Sequence, residues 1–588
     1  MFINILRRIL AMLKPYRGKL ALGYIMLLIF LSLILVAPML TRIIVDDVIS
    51  AGEFGTEQQK ILYTLLALMV VFAIGRAVFA YFRLLIFEKI SQDIIYDLRT
   101  GLYKHLSSLP FRFYDTHQIG EIMSRMTGDI EAIRMFIAGG LMQIFEQSLF
   151  YIGSLIFVFF LSYKIALILL AITPLLAFIG YKFDKNMRPA FNNIREQNAV
   201  LNTRTQENIA GTRLVKAYNR QDHERKLFDD ENYKQRDFGI AIAKIFSNFH
   251  PIIEIIASST PAILLLIGGY FAVQGTVSTG SIVAIFGYLW MITNPTRQLA
   301  NILNMITQTI SSGEKLFYYS DFGSYIKNPA NPKVPEKAKG HVVFDDVYFS
   351  YGDETVLSGI SFDVEEGKTL AIMGATGSGK TSIINLLGRF YECYKGEVKV
   401  DGINVKEYDL KFLRKQIGYV NQETFLYSDS LAGNIAFGNM DADMEDVYEA
   451  AEIAQATEFI AEKDEGYDLI VGERGTGLSG GQKQRTAIAR ALLINPKILV
   501  LDDATASVDT ETEQKIQQGL KSRKNKSTTI IISHRISAVQ DADEIIVLDH
   551  GKIAERGKHA ELLEQQGIYH EMFMEQYQDY MKVSKEVG

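Results

Sequence analysis

The plainest chemistry in this sequence lies in Gly374-Ala375-Thr376-Gly377-Ser378-Gly379-Lys380-Thr381, a G-x-x-x-x-G-K-[ST] pattern. It follows the apolar run Thr369–Met373, which reads as a buried strand, and precedes Ser382–Leu387, which reads as the start of a helix. In that setting the glycines let backbone N–H groups close around phosphates, and the positive end of the helix adds to their pull. Lys380 then reaches the outer phosphates and Thr381 offers a hydroxyl to Mg²⁺. The pattern predicts a nucleoside triphosphate site.

The chain that must position this loop has 588 residues, too many for one ordinary domain. It is 48% apolar yet 22% charged, with a mean hydropathy of +0.10, an average that two unlike halves explain better than one uniform chain. A net charge of −6 gives no basic field for nucleic acid. The single cysteine, Cys393, cannot form an intrachain disulfide, and no Cys/His cluster points to zinc. Near the N-terminus Arg7, Arg8, Lys14, Arg17 and Lys19 lead into an apolar run longer than a signal core, without a small-residue cleavage site. That run is expected to be a retained first membrane span.

Six segments are long and apolar enough to cross a bilayer, near 20–41, 61–82, 137–161, 165–183, 251–273 and 281–303. Lys and Arg crowd the N-terminal segment and the stretch 182–244, whereas the turn around Asp46, Asp47, Glu53 and Glu57 is acidic. The positive-inside rule then puts both termini and two long loops, roughly 83–136 and 184–250, in the cytoplasm. Both loops have helical periodicity and should continue the membrane helices. Their reversals, near Phe113–Gly120 and Gly211–Ala217, are placed to touch a cytoplasmic motor. Arg76, Glu146, His250 and Glu254 lie at membrane depth, as does Thr293-Asn294-Pro295-Thr296-Arg297, read as a break in the sixth helix. Such groups either line a substrate path or pair between helices.

Residues 328–340 hold three of the chain's 12 prolines and read as a linker between a membrane domain, 1–327, and a second domain, 341–588. In the second, runs at Val342–Phe344, Lys368–Met373, Ile417–Val420, Ile498–Leu501, Thr528–Ile532 and Glu544–Leu548 alternate with helical patterns. This argues an α/β domain with a largely parallel sheet. Leu478-Ser479-Gly480-Gly481-Gln482 before an amphipathic helix resembles the signature motif of ATP-binding cassette (ABC) proteins. The other family marks stand in family order: an aromatic A-loop at Tyr351, a Q-loop at Gln422, Ile498–Asp502 as Walker B, a D-loop at Ser507-Val508-Asp509 and a switch histidine at His534. Six spans ahead of one cassette resemble the half-transporters of the multidrug and lipid exporter family, along essentially the whole chain. The fold expected is an α-helical membrane domain with six spanning helices, followed by an α/β P-loop ATPase domain.

The resemblance implies roles. Tyr351 would offer a face to adenine, Asp502 would join Thr381 at Mg²⁺, Gln422 would contact the metal or the attacking water and sense the membrane domain, and His534 would contact the γ-phosphate. Ser479, Gly480, Gly481 and Gln482 would act in trans, on ATP held by a partner's phosphate loop. One position departs from the family: the glutamate expected after Walker B is Asp503, shorter by one methylene. A misplacement of order 1 Å costs about 10²-fold in rate, so Asp503 is expected to be a poor catalytic base. Family members with this change are commonly one half of a heterodimer, so a second half-transporter is the expected partner, in preference to a homodimer. The function implied is ATP-driven export of a hydrophobic or drug-like amphipathic substrate from a bacterial plasma membrane, among membrane lipids and without nucleic acid. The alternatives are a lipid or peptide exporter, and an ATP-gated regulator that hydrolyses little.

Overall fold

Within a bilayer no water satisfies the backbone, so a crossing chain must close its hydrogen bonds inside helices. The computed structural model, which describes residues 2–50, 55–523 and 525–587, divides into two units, and the first (residues 1–108 and 118–322) is built of helices. The long ones are Arg17–Ile43, Thr56–Ser107, Leu141–Leu161, Tyr163–Ala210, Gln221–Val273 and Thr279–Asp321. Three of these run to 48, 52 and 53 residues, whereas about 20 span a hydrocarbon core. They therefore continue beyond the membrane. Among the described residues, Lys14–Ile49, Thr56–Leu106, Ile119–Leu161 and Gln221–Val273 are long and apolar enough to cross. The other two expected spans fall on Tyr163–Ala210, whose described apolar stretch is Tyr163–Ile172, and on Thr279–Asp321, which polar groups dilute.

The polar groups of these helices divide between the two expected uses. Glu146 accepts from Arg83 at 2.7 Å, and the Arg83 guanidinium lies 4.0 Å from the centre of the Phe30 ring, so Glu146 serves pairing between helices. Arg76 instead lines a cavity of about 400 Å³ with Leu33, Phe72 and Met291. His250 stacks on Phe246, centroids 4.9 Å apart, and Glu254 accepts from the Ser258 hydroxyl at 3.1 Å. The expected break at 293–297 is corrected: the helix runs unbroken through Pro295. Neighbouring helices hold such a segment despite the missing N–H. Here Asn294 Nδ2 donates to Gln147 Oε1 at 3.3 Å; the side chains of Thr296 and Arg297 are outside those described. Of the acidic outer turn, Glu53 lies outside the described residues, while Asp46 accepts from Gly280 N–H at 2.8 Å and from the Ser278 hydroxyl at 2.6 Å.

The second unit joins residues 323–588 to the short stretch Leu109–His117. Among the described residues, its ten strands form two sheets: β1 (Val342–Tyr351), β2 (Glu354–Val364), β3 (Thr369–Gly374), β4 (Lys395–Val400), β5 (Ile403–Asn404), β6 (Ile417–Val420), β7 (Ile498–Asp502), β8 (Thr528–Ile532), β9 (Glu544–Asp549) and β10 (Lys552–Gly557). The larger sheet, ordered β10-β9-β3-β8-β7-β6, is parallel except for β10. The smaller is antiparallel, ordered β2-β1-β4-β5, and was not expected as a separate layer. Its strands are half exposed and carry register shifts that blur their alternation. The proline-rich stretch is laced along the unit's side, with Lys333 N–H donating to Glu407 O at 2.8 Å and Asn328 Nδ2 to Asp409 Oδ2 at 2.7 Å.

Leu109–His117 is the first loop reversal. Phe113 is fully buried, Phe111 stacks on Phe390 with centroids 4.4 Å apart and planes 4° from parallel, and Asp115 accepts the hydroxyl of Tyr391. The second reversal, the helix Thr212–Ala217, belongs to the first unit and leaves Ile209, Leu214 and Tyr218 exposed.

Candidate nucleotide site

Parallel strands deliver their C-terminal ends to one edge, and there α/β sheets bind ligands. The register aligns Ile372 of β3 and Asp502 of β7 on either side of Ile532 of β8, and pairs Leu501 with Val420 of β6. The loops leaving these ends carry Gly374–Thr381, Asp503, His534 and Gln422, so residues spread over 160 positions of sequence meet at one edge.

The loop after β3 needs its glycines for physical reasons. Gly374 has φ +142°, and a Cβ there would fall 2.2 Å from Leu548 O on the neighbouring β9. Gly379 turns the chain into the helix Lys380–Leu387 at φ +101°. Ala375, Thr376 and Gly377 face solvent, whereas Ser378 is buried with no partner for its hydroxyl among the described atoms. Lys380 is buried too, its Nζ donating to Gly374 O and Ala375 O, both at 2.8 Å. Burial lowers its pKa while Asp503 and Asp502 act in the opposite sense. The orphaned hydroxyl and the inward-curled ammonium are groups that an entering phosphate chain would satisfy.

Thr381 Oγ1 donates to Asp502 Oδ2 at 3.1 Å. Asp502 is 3% exposed, and burial raises its pKa, partly opposed by the Thr381 hydrogen bond. A hydroxyl and a carboxylate oxygen side by side next to the phosphate loop are hard donors and fit Mg²⁺. Gln422 Nε2 donates to Asp503 Oδ2 at 3.5 Å. Asp503 sits at φ +45°, a left-handed conformation that Asp tolerates better than most residues, held by its N–H donating to Ile532 O at 2.8 Å. His534 is exposed just beyond β8. Tyr351 ends β1 at the turn Gly352-Asp353, and its hydroxyl accepts from Ser382 Oγ at 3.4 Å and Asn385 Nδ2 at 3.5 Å. Its ring thus stands beside the phosphate-loop helix.

Ser479–Gln482 lies apart: among the described residues no hydrogen bond joins it to Gly374–Thr381. Ser479 caps the helix Gly480–Leu493 in a reciprocal box, accepting from Gln482 N–H at 3.3 Å while Gln482 Oε1 accepts from Ser479 N–H at 2.9 Å. The cap uses the serine as acceptor and leaves its O–H free to donate. Gly481 must lack a side chain, because a Cβ would lie 2.8 Å from Ser507 O.

Three residues that motif reading missed hold these pieces together. Gln484, 6% exposed, accepts from Ser507 N–H at 2.8 Å and donates to Asp503 O at 3.4 Å. Arg535 donates to the carbonyls of Thr505, Ala506 and Val508 at 3.2, 2.7 and 2.9 Å. Gln576 brackets the switch segment, donating to His534 O at 2.6 Å and accepting from Ile536 N–H at 3.0 Å. The one sequence signal was a glutamine on the buried face of an amphipathic helix, at Gln484.

Comparison with known proteins covers both units. Residues 21–296 match the family described as ABC transporter transmembrane region, and residues 357–506 the one described as ABC transporter. The chain is 38% identical to an ABC transporter ATP-binding protein of Bacillus subtilis (strain 168), YknU, over 98% of each chain. It is 32% identical to a protein of the same organism provisionally named for multidrug export, YgaD, over 97% of this chain and 99% of that one. With the ATP-dependent lipid A-core flippase of Syntrophus aciditrophicus (strain SB) the identity is 31%, over 100% of this chain and 96% of the flippase. A solved structure of a bacterial Atm1-family ABC exporter with ATP bound superposes with a TM-score of 0.82 at 27% identity, covering 95% of this chain and 98% of that one.

Proposed function

We propose, because this chain belongs to the ABC transporter family as an exporter half-transporter, that ATP held by its phosphate loop is closed over by the signature motif of a second subunit, and that this closure drives export. The protein is an integral, multi-pass membrane transport ATPase with its cassette in the cytoplasm. The observation that carries the composite site is the contrast between a buried, phosphate-ready Lys380 and an exposed Ser479 with an unspent O–H.

In this reading Tyr351 stacks on adenine, Gly374–Gly379 wrap the phosphates with backbone N–H groups, and Lys380 releases its two carbonyls to reach the outer phosphate oxygens. Thr381, Asp502 and Gln422 hold Mg²⁺, which when bound neutralises charge on the β- and γ-phosphates. Gln422 and Asp503 orient the attacking water, and His534 meets the γ-phosphate from the end of β8. Ser479, Gly480 and Gly481 donate to the γ-phosphate on the partner subunit, aided by the N-terminus of their helix, with Gln482 holding the cap. The missing methylene of Asp503 makes this chain's own site slow, so the working complex is a heterodimer with twelve spans whose faster site lies on the partner's phosphate loop. Exposed Ile209, Leu214 and Tyr218 at the second reversal support docking on the partner's cassette.

The cargo is a hydrophobic or amphipathic compound of drug or lipid type. The cavity beside Arg76 supports a path that tolerates a polar head on an apolar body. ATP turnover by the purified chain in lipid, with and without a co-purified second half-transporter, tests the reading. Turnover that needs the second chain and rises with hydrophobic compounds is expected; an active lone homodimer would remove the heterodimer from it.

A further inference from the structure

Tyr391 has no place in the motifs, yet it touches both the first loop reversal and the proposed adenine platform. Its hydroxyl donates to the Asp115 carboxylate, and its ring meets Tyr351 edge-on, centroids 5.0 Å apart and planes at 87°. Phe349 supports both tyrosines, 5.7 Å from Tyr391 and 4.7 Å from Tyr351. These contacts differ in kind. A hydroxyl bonded to a carboxylate is charge-assisted and directional, whereas edge-to-face rings constrain each other's orientation.

The backbone under Tyr391 is held independently. Arg414 donates to Gly388 O at 3.2 Å and Arg389 O at 3.0 Å, with its guanidinium 4.8 Å from the centre of the Phe390 ring. Arg389, itself buried, closes the turn on Glu392 at 2.9 Å and on Lys327 O at 3.1 Å. With the turn clamped from below, a displacement of Asp115 moves the Tyr391 side chain first. Tyr351 is the next group that the displacement reaches.

We propose that Tyr391 is a positioning residue through which Asp115, at the tip of the first cytoplasmic loop, sets the orientation of the Tyr351 ring and thereby this chain's affinity for the base of ATP. The inference rests on the reading that Tyr351 carries adenine. Linkage makes the effect reciprocal: a loop position that strengthens base binding is itself favoured when the base is bound. The device senses the base and not the phosphates, since Gly374–Lys380 has its own supports.

The test uses the full chain with its co-purified partner in lipid and reads photolabelling of this chain by 8-azido-ATP, displaced either by ATP or by inorganic tripolyphosphate. Tyr391→Phe keeps the ring and removes only the hydroxyl; Asp115→Asn keeps the shape and removes the charge. Each is expected to weaken displacement by ATP about fivefold, to leave displacement by tripolyphosphate unchanged, and to add nothing when combined with the other or with Tyr351→Leu. Additive losses, unchanged ATP affinity, or equal loss for tripolyphosphate would overturn the proposal, the last because it signals general loosening. If Tyr351→Leu leaves ATP affinity intact, the adenine platform itself is wrong. If Tyr351→Leu weakens ATP and Asp115→Asn does not, only the relay fails.

Discussion

The phosphate loop and the signature helix belong to the same cassette but are finished to different degrees. Around Gly374–Thr381 the polar groups are drawn inward: Lys380 bonds two carbonyls of its own loop, Thr381 meets Asp502, and Ser378 waits buried. Around Ser479–Gly481 the glycines pack on Ser507, the cap is closed, and what remains faces solvent. One half-site is thus closed around an inward-drawn set of polar groups, and in the proposed reading it binds a nucleotide by itself, whereas the other keeps its donors outward for a second subunit. Gln484 ties the signature helix to Ser507 N–H and to the backbone carbonyl of Asp503, the route by which closure at the signature would reach the Asp502–Asp503 pair in the proposed reading.

Substitutions can break that contrast in order of size. Lys380→Ala strikes the inward-drawn half and, in the proposed reading, removes a cation that bonds the phosphates, an interaction of about 1.5–3 kcal/mol. ATP affinity at this chain's site should fall about ten- to hundredfold, read by displacement of labelled nucleotide; unchanged affinity would remove Lys380 from its role. Gln484→Leu strikes the link, leaving the Ser507 N–H without its acceptor and removing a hydrogen bond of about 0.5–1.5 kcal/mol. Turnover of the complex should drop about tenfold with ATP affinity at Lys380 unchanged, and equal losses in both would merge the two halves into one structure. Asp503→Asn should be the mildest, lowering turnover of the complex by less than about twofold, because the proposed heterodimer places hydrolysis at the partner's site. A complex that loses its turnover with Asp503→Asn has Asp503 as its working base.

What sequence could and could not reveal follows from where each residue sits. Gly374–Thr381 and Asp502 stand at the ends of buried, mostly apolar strands, and such runs are visible without a structure. Arg535 and Gln576 act through backbone carbonyls and N–H groups, which carry no sequence signature, and Gln484 showed only as a polar residue on a buried helix face. Glu146 is a lone acid until Arg83, 63 residues away, folds against it. Pro295 reads as a break because proline lacks an N–H, yet long neighbouring helices keep the segment helical. Strands β2 and β4 hide because one face is wet and their register shifts.

Ser479→Arg in the intact complex tests the composite site most directly, since it puts a bulky cation on the exposed half and leaves every group around Lys380 in place. ATP turnover and nucleotide labelling of this chain are measured on the same preparation. The account predicts turnover abolished with labelling at the Lys380 site retained. Normal turnover, or loss of labelling together with turnover, would contradict a site completed by a second subunit.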